Sequence, residues 1–252
     1  APIEADSALT SELLRQVNSV GTGLRQRVSS IAQAINLFGP RRTKALVLSC
    51  ALQTATAGMK SQLINATQFQ RENRIRAIFA RETARGANAE MEVAYTAGLL
   101  QDFLLPLLTD AFQSDYQKLF DQERELVEKE RERFGWDHAQ IAAGLMHDWG
   151  FPDELVACVL LHHEMDQVTL DPELRESSVS AAIAAGALPE SLWQSPHGFE
   201  TLMFLQDVLP DFRFLEVANI VDEEFDGGSG QRGQETTLCE RLGNLAIENL
   251  EQ

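Results

Sequence analysis

Five histidines are all this sequence has for imidazole chemistry: His138, His147, His162, His163 and His197. His138 precedes Ile141, Ala142, Leu145 and Trp149 by three, four, seven and eleven residues, which places it on the apolar face of a helix. His163 aligns in the same way with Val156, Val159 and Leu160, and His162 follows Leu155 by seven and Cys158 by four. Two adjacent imidazoles at the end of a buried helix, with a third facing inward, form a nitrogen donor set of the kind a transition metal uses. Taken singly, each also suits a core histidine satisfied by a carbonyl or a carboxylate.

Two carboxylates share this inward placement. Asp102 follows Tyr95 by seven and Leu99 by three, and Asp222 follows Leu215 by seven and Ala218 by four. An unpaired buried carboxylate is expensive, so each requires a cation, a metal or several donors. A helix cap or an ion pair near a helix end is the alternative, above all for Asp222. The dipeptide His147-Asp148 reads as a helix-end pair ahead of Trp149-Gly150, with Trp149 as a packing anchor. Arg41, Arg42 and Lys44 form a small basic cluster at a helix start, read as a solvated turn.

Helices must position these groups, and the periodicity supplies them. Leu24, Val28, Ile31, Ile35 and Phe38 form one amphipathic stripe, ended by Gly39-Pro40. A second helix runs from Arg41 to about Gly58. A third spans Phe69 to Arg85, with Ile75, Ile78 and Phe79 inward and arginines on the other side. The fourth, Ala89 to Leu105, is stopped at Pro106. The charged run Asp121 to Arg133 predicts a solvated surface helix with a Glu125–Lys129 pair. Asp137 caps a helix ending at Trp149-Gly150, and Phe151-Pro152-Asp153 starts another that reaches Met165. Further helices are expected over Ser177–Ala187, His197–Leu209 and Phe212–Phe225, then a loop from Asp226 to Gly233 and a short C-terminal helix. No segment alternates as a strand would. The expected fold is all-α.

Composition narrows the function. The 252 residues carry 21 lysines and arginines against 38 aspartates and glutamates, a formal net charge of −17. Such a field repels phosphate backbones and anionic bilayers, so no nucleic-acid or membrane partner is expected. Three scattered cysteines, Cys50, Cys158 and Cys239, give no disulfide framework and suit a reducing compartment. No apolar run reaches the roughly 18 residues that span a bilayer, and the opening APIEADSALT lacks a signal-peptide pattern. A cytoplasmic protein is expected. The start at Ala1 rather than methionine suggests a piece of a longer polypeptide.

Four stretches together resemble the HDOD domain, a bacterial signalling relative of the HD-type metal-dependent phosphohydrolases. They are EADSALTSELLRQVNS (Glu4 to Ser19), VSSIAQAINLFGPRRTKALVL (Val28 to Leu48), YTAGLLQDF (Tyr95 to Phe103) and ERFGWDHAQIAAGLMHDWGFPDELVACVLLHH (Glu132 to His163). The match covers roughly two thirds of the chain and fades after Glu164. It implies an HD-type helical core over 61–252, preceded by an N-terminal helical bundle in 1–60.

The resemblance also implies where metal ligands would fall. An active HD phosphohydrolase holds metal with an early His, a His-Asp pair and a distant Asp. Those positions are Glu72, Gln101-Asp102 and Asp222 here, so two imidazoles are replaced. The added ligands of the HD-GYP phosphodiesterases correspond to His138, His162 and His163. Their catalytic lysine falls at Leu105, and MDQVTL stands in place of their DGxGYP tail. An amide oxygen is a poor substitute for imidazole on a transition metal, and hydrolysis needs an open metal position that acidifies water. The resemblance therefore implies a non-catalytic signal-transduction output domain with no catalytic residues and no required cofactor. It would bind protein partners, linked signalling domains or a small regulatory ligand. The alternative is a residual phosphohydrolase acting on a nucleotide or cyclic dinucleotide, with a divalent metal on Asp102, His138, His162, His163 and Asp222.

Overall fold

A computed structural model describes residues 61–120, 124–189, 197–226 and 236–250, together with 14, 17, 18, 28–30, 32–40, 43, 46, 47 and 50. Among the described residues there is no strand, and the fold is all-α, as the periodicity predicts. The helices are α1 (Ala66–Gly86), α2 (Met91–Leu100), α3 (Leu105–Ala111), α4 (Gln113–Leu119), α5 (Leu126–Phe134), α6 (His138–Asp148) and α7 (Asp153–Leu161). They continue with α8 (Met165–Leu170), α9 (Pro172–Arg175), α10 (Ser178–Gly186), α11 (Gly198–Val208), α12 (Phe214–Asp226) and α13 (Leu238–Leu250). No described helix is long and apolar enough to cross a membrane.

The centre of the molecule is the pair α1 and α2, against which α10, α12 and α7 pack. α1 begins where the Asn65 side chain accepts from Gln68 N, an N-cap that satisfies one of the unpaired amides of the first turn. Its ring of Phe79 meets Phe212 edge-on at a centroid distance of 6.2 Å. α1 and α2 approach backbone to backbone at Gly98, where a Cβ would lie 2.8 Å from Ala77 Cα. Gly98→Ala is therefore expected to lower stability by about 1–3 kcal/mol through overpacking, read as a fall in the urea midpoint. An unchanged midpoint would mean the two helices can part without cost.

Three sequence expectations change on contact with the structure. α2 ends at Leu100 rather than at Pro106, and a turn over 101–104 follows before α3, where proline sits in the first helical turn. Proline lacks an N–H and its ring clashes with the carbonyl four residues back, so the ladder breaks ahead of it. The break places Gln101 and Asp102 in a turn. Secondly, the charged segment is not wholly solvated. Leu126, Val127, Lys129 and Glu130 are buried, and exposed ion pairs join Arg124 to Glu128 and Glu132 and Arg133 to Asp115. Thirdly, the α1 arginines are not all on a solvent face, because Arg76 and Arg81 are buried. Trp149, expected as a packing anchor, is 45% exposed and sets its ring 6.5 Å from that of buried Phe103. Val17, Val28, Ala34, Leu46 and Cys50 form a small buried cluster of their own. The loop 227–233 and Arg41, Arg42 and Lys44 lie outside the described residues, as does most of the helix expected to Gly58.

Candidate functional site

Three local devices bring the predicted histidines together. Asp137 caps α6 in a reciprocal box with Gln140, which fixes His138 as the first helical residue. α7 ends at Leu161, so His162 and His163 fall in the turn that follows it. The turn after α2 supplies Asp102. One ligand atom each from Asp102, His138, His162 and His163 lies within 4.8 Å of the other three.

His138 is the hub. Its Nδ1 contacts Glu130 Oε2 at 2.7 Å, and its Nε2 lies 3.0 Å from Asp102 Oδ1 and 3.2 Å from His163 Nε2. Burial disfavours the imidazolium, but the Glu130 and Asp102 carboxylates outweigh it, and the His138 pKa is pushed up to about 10. His163 goes the other way: burial, together with the neighbouring His162 and His138 rings, holds it well below the ordinary histidine value. The proton between the two rings thus belongs to His138, and His163 accepts. His162 donates from Nδ1 to Val159 O at 2.7 Å, which turns its Nε2 toward the cluster.

Asp102 is almost fully buried and faces two directions. Its Oδ2 meets Arg76 Nη1 at 2.8 Å, while His162 Nε2 lies 3.4 Å from Oδ1. Burial would raise its pKa, but the Arg76 guanidinium and the His138 and His162 rings hold it well below the carboxylate range. Asp102 Oδ1 and His162 Nε2 are nonetheless without a well-directed hydrogen bond. Both amide atoms of Gln101, which is fully buried, also lack a partner.

The remaining sequence candidates are engaged elsewhere. Glu72 is buried and receives Arg241 Nη1 at 3.2 and 3.1 Å on its two oxygens. Asp222 is not brought to the cluster: its Oδ1 and Oδ2 accept from Leu238 N and Cys239 N, each at 2.9 Å, at the start of α13. Two amides at a helix start give each oxygen of this carboxylate a donor, so it is held without a cation. His147 and Asp148 are exposed side by side at the end of α6, 3.6 Å apart.

Three functional neighbours escaped the sequence reading. Glu130 accepts from Tyr116 Oη at 2.5 Å and from His138 N at 3.0 Å, besides touching the ring. Burial and Glu130 together push the Tyr116 phenol far up. Glu130 shares a helical face with Leu126, Val127 and Phe134, and that stripe was its signal. Arg76 follows Phe69 by seven and precedes Phe79 by three, so it too stands in an apolar stripe.

The donor set, three imidazole nitrogens and one carboxylate oxygen, fits a divalent transition metal. Two ring Nδ1 atoms are already fixed by acceptors, as metal-ligating histidines require. These four side chains are the ones that would hold such an ion, and among the described residues no further histidine, cysteine, aspartate or glutamate joins the group.

Comparison with known proteins fits this architecture. The model of the HDOD domain matches residues 1–165. An uncharacterized protein of Treponema pallidum (strain Nichols) is 28% identical over 172 residues, which is 66% of this chain and 33% of that one. The chain therefore spans about a third of that relative's length. Among solved structures, a Shewanella amazonensis SB2B protein whose name proposes a phosphohydrolase superposes with a TM-score of 0.61 at 19% identity, over 89% of this chain and 81% of that one. An HDOD domain protein with unknown function from Geobacter sulfurreducens gives 0.56 at 17% identity, over 99% and 81%. At these identities the likeness is one of fold.

Proposed function

The chain belongs to the HDOD domain family, and on that footing we propose that it is a non-catalytic signalling module of the bacterial cytoplasm. It works by binding protein partners or linked signalling domains, or a small regulatory ligand. The observation that carries this reading is the Arg76 guanidinium on Asp102 Oδ2. The carboxylate that would grip an ion already holds a permanent cation, and Arg241 on Glu72 repeats the arrangement at the early ligand position. Asp222 caps a helix, and Gln101 offers an amide where an imidazole would be needed. A hydrolase must keep a metal with an open position for water, and these engagements count against one.

A second reading is favoured by one observation, the unbonded Asp102 Oδ1 and His162 Nε2. A divalent ion would be held by Asp102, His138, His162 and His163, with Glu130 and Val159 O orienting two of the rings. When bound it would supply a Lewis acid. The chain's own residues would then have to bind a nucleotide or cyclic dinucleotide beside it.

One experiment separates the two. The chain, purified without chelator, is analysed for metal and incubated with nucleotides and cyclic dinucleotides plus manganese or iron. The expected result is no hydrolysis above the protein-free blank, while pull-down from a bacterial lysate recovers a specific partner. Metal-dependent turnover that His163→Ala abolishes would overturn the proposal in favour of the phosphohydrolase.

A further inference from the structure

Asp102 has two unlike sides. Its Oδ2 receives Arg76 Nη1 at 2.8 Å, while its Oδ1 lies 3.0 Å from His138 Nε2 and 3.4 Å from His162 Nε2. The backbone builds the contact with Arg76. α1 and α2 touch at Gly98, where a Cβ would lie 2.8 Å from Arg76 C, and Asp102 follows four residues on. Asn73 Oδ1, three residues earlier on α1, accepts from the same Arg76 Nη1 at 2.9 Å. Of the other charged groups that act on Arg76, Glu72 and Arg241 are paired with each other.

Charge then decides what the histidine cluster tolerates. Among the described residues, Asp102 and Glu130 are the carboxylates that touch its rings, and both are buried. A metal-ligating imidazole is neutral, so a divalent ion among Asp102, His138, His162 and His163 would balance these two acids by itself. Arg76 adds a further buried positive charge. With Arg76 in place the loaded cluster carries one positive charge too many, and without it the loaded cluster is neutral. An uncompensated buried charge is expensive, and a guanidinium cannot shed its proton to relieve it.

We propose that Arg76 is a resident cation that keeps the histidine cluster weakly receptive to divalent metal: it satisfies Asp102 when no ion is bound and repels an ion that would share this carboxylate. The proposal rests on the ion-binding part of the second reading and adds its regulation; hydrolysis plays no part in it. Access is not what limits loading. A cavity of about 450 Å³ is lined by His162 and His163 together with Glu128, Glu164, Asp166 and Glu200, and neither lysine nor arginine is among its described lining residues. Such a mouth draws cations in. The control lies in one side chain of α1.

Zinc titration of the full, chelator-treated chain tests this, read by competition with a chromophoric chelator and by the urea midpoint. Arg76→Lys keeps the charge and is expected to bind zinc as weakly as the unaltered chain. Arg76→Gln removes it and is expected to bind about tenfold more tightly, a change of about 1.4 kcal/mol. Its midpoint, lowered without metal because Asp102 has lost its cation, is expected to climb back as zinc is added. His163→Ala in that background is expected to cancel the gain, which separates the cluster from acidic surface sites. If Arg76→Gln does not fold without metal, zinc-dependent refolding followed by circular dichroism is the same result, and failure to refold overturns the proposal. Equal zinc affinity with arginine, lysine and glutamine at position 76 overturns it and leaves the ion-binding reading intact, whereas zinc bound by none of them sinks both.

Discussion

Asp102→Ala is expected to destabilise the fold by about 3–5 kcal/mol, read from urea denaturation at neutral pH. The loss comes from what remains behind. Arg76 is 2% exposed, and without Asp102 its charge would stay buried with Asn73 Oδ1, at 2.9 Å, and distant Glu72 as poor compensation. His138 would lose one of the two carboxylates that stabilise its imidazolium. The decisive comparison is the pair variant Arg76→Met with Asp102→Leu. Removing both charges together replaces an ion pair with apolar volume, and such replacements are often neutral or stabilising. The double variant is therefore expected to recover most of the loss. If it is as unstable as Asp102→Ala, the cost lies with the histidines and not with the guanidinium.

Stability of the chelator-treated protein should peak near pH 6.5, the ordinary histidine value, and fall on both sides. His138 is raised to about 10 in the fold, so its contribution is complete below about pH 6.5 and drains away as pH climbs toward 10. His163 is depressed, so its contribution is complete above about pH 6.5 and declines as pH drops. Asp102 is also depressed, and its share is lost only in stronger acid, below the unfolded carboxylate pKa. At the peak folded and unfolded chains bind equal numbers of protons on this pair, and on each flank the difference grows toward one. The slope approaches 1.4 kcal/mol per pH unit well away from the peak. Tyr116 and Cys158 are raised too, and they steepen the alkaline side only where the unfolded thiol and phenol ionise, above about pH 8.5. Urea midpoints between about pH 5 and 8.5 isolate the histidines. A flat profile there would mean that His138 and His163 are not pushed in opposite directions, and His138→Phe should remove the alkaline flank.

The helices α6 and α10 were legible because each carries its own punctuation. Asp137 with Gln140, Ser177 before α10, and the glycines at 135 and 150 fix boundaries locally, and the structure follows them within a residue or two. The gathering of His138, His162, His163 and Asp102 was legible from their apolar offsets together with the family resemblance. Glu130 and Arg76 were not, because a charged residue in a charged run looks solvated until the neighbouring helix is known. Their burial depends on Tyr116, His138 and Asp102, which lie far along the chain or in other helices. Asp222 shows the opposite limit: its apolar register was real, but the partner it found was the first turn of α13.

That cap has a mechanical side. α13 is fastened at its start by Asp222 and through Arg241 to Glu72 on α1, so two of its anchors are acids that the resemblance assigns to metal binding. An ion on Asp222 would compete with two backbone amides for the same two oxygens. Loading those positions would unmoor the end of the chain, and keeping the end moored leaves them closed to ions.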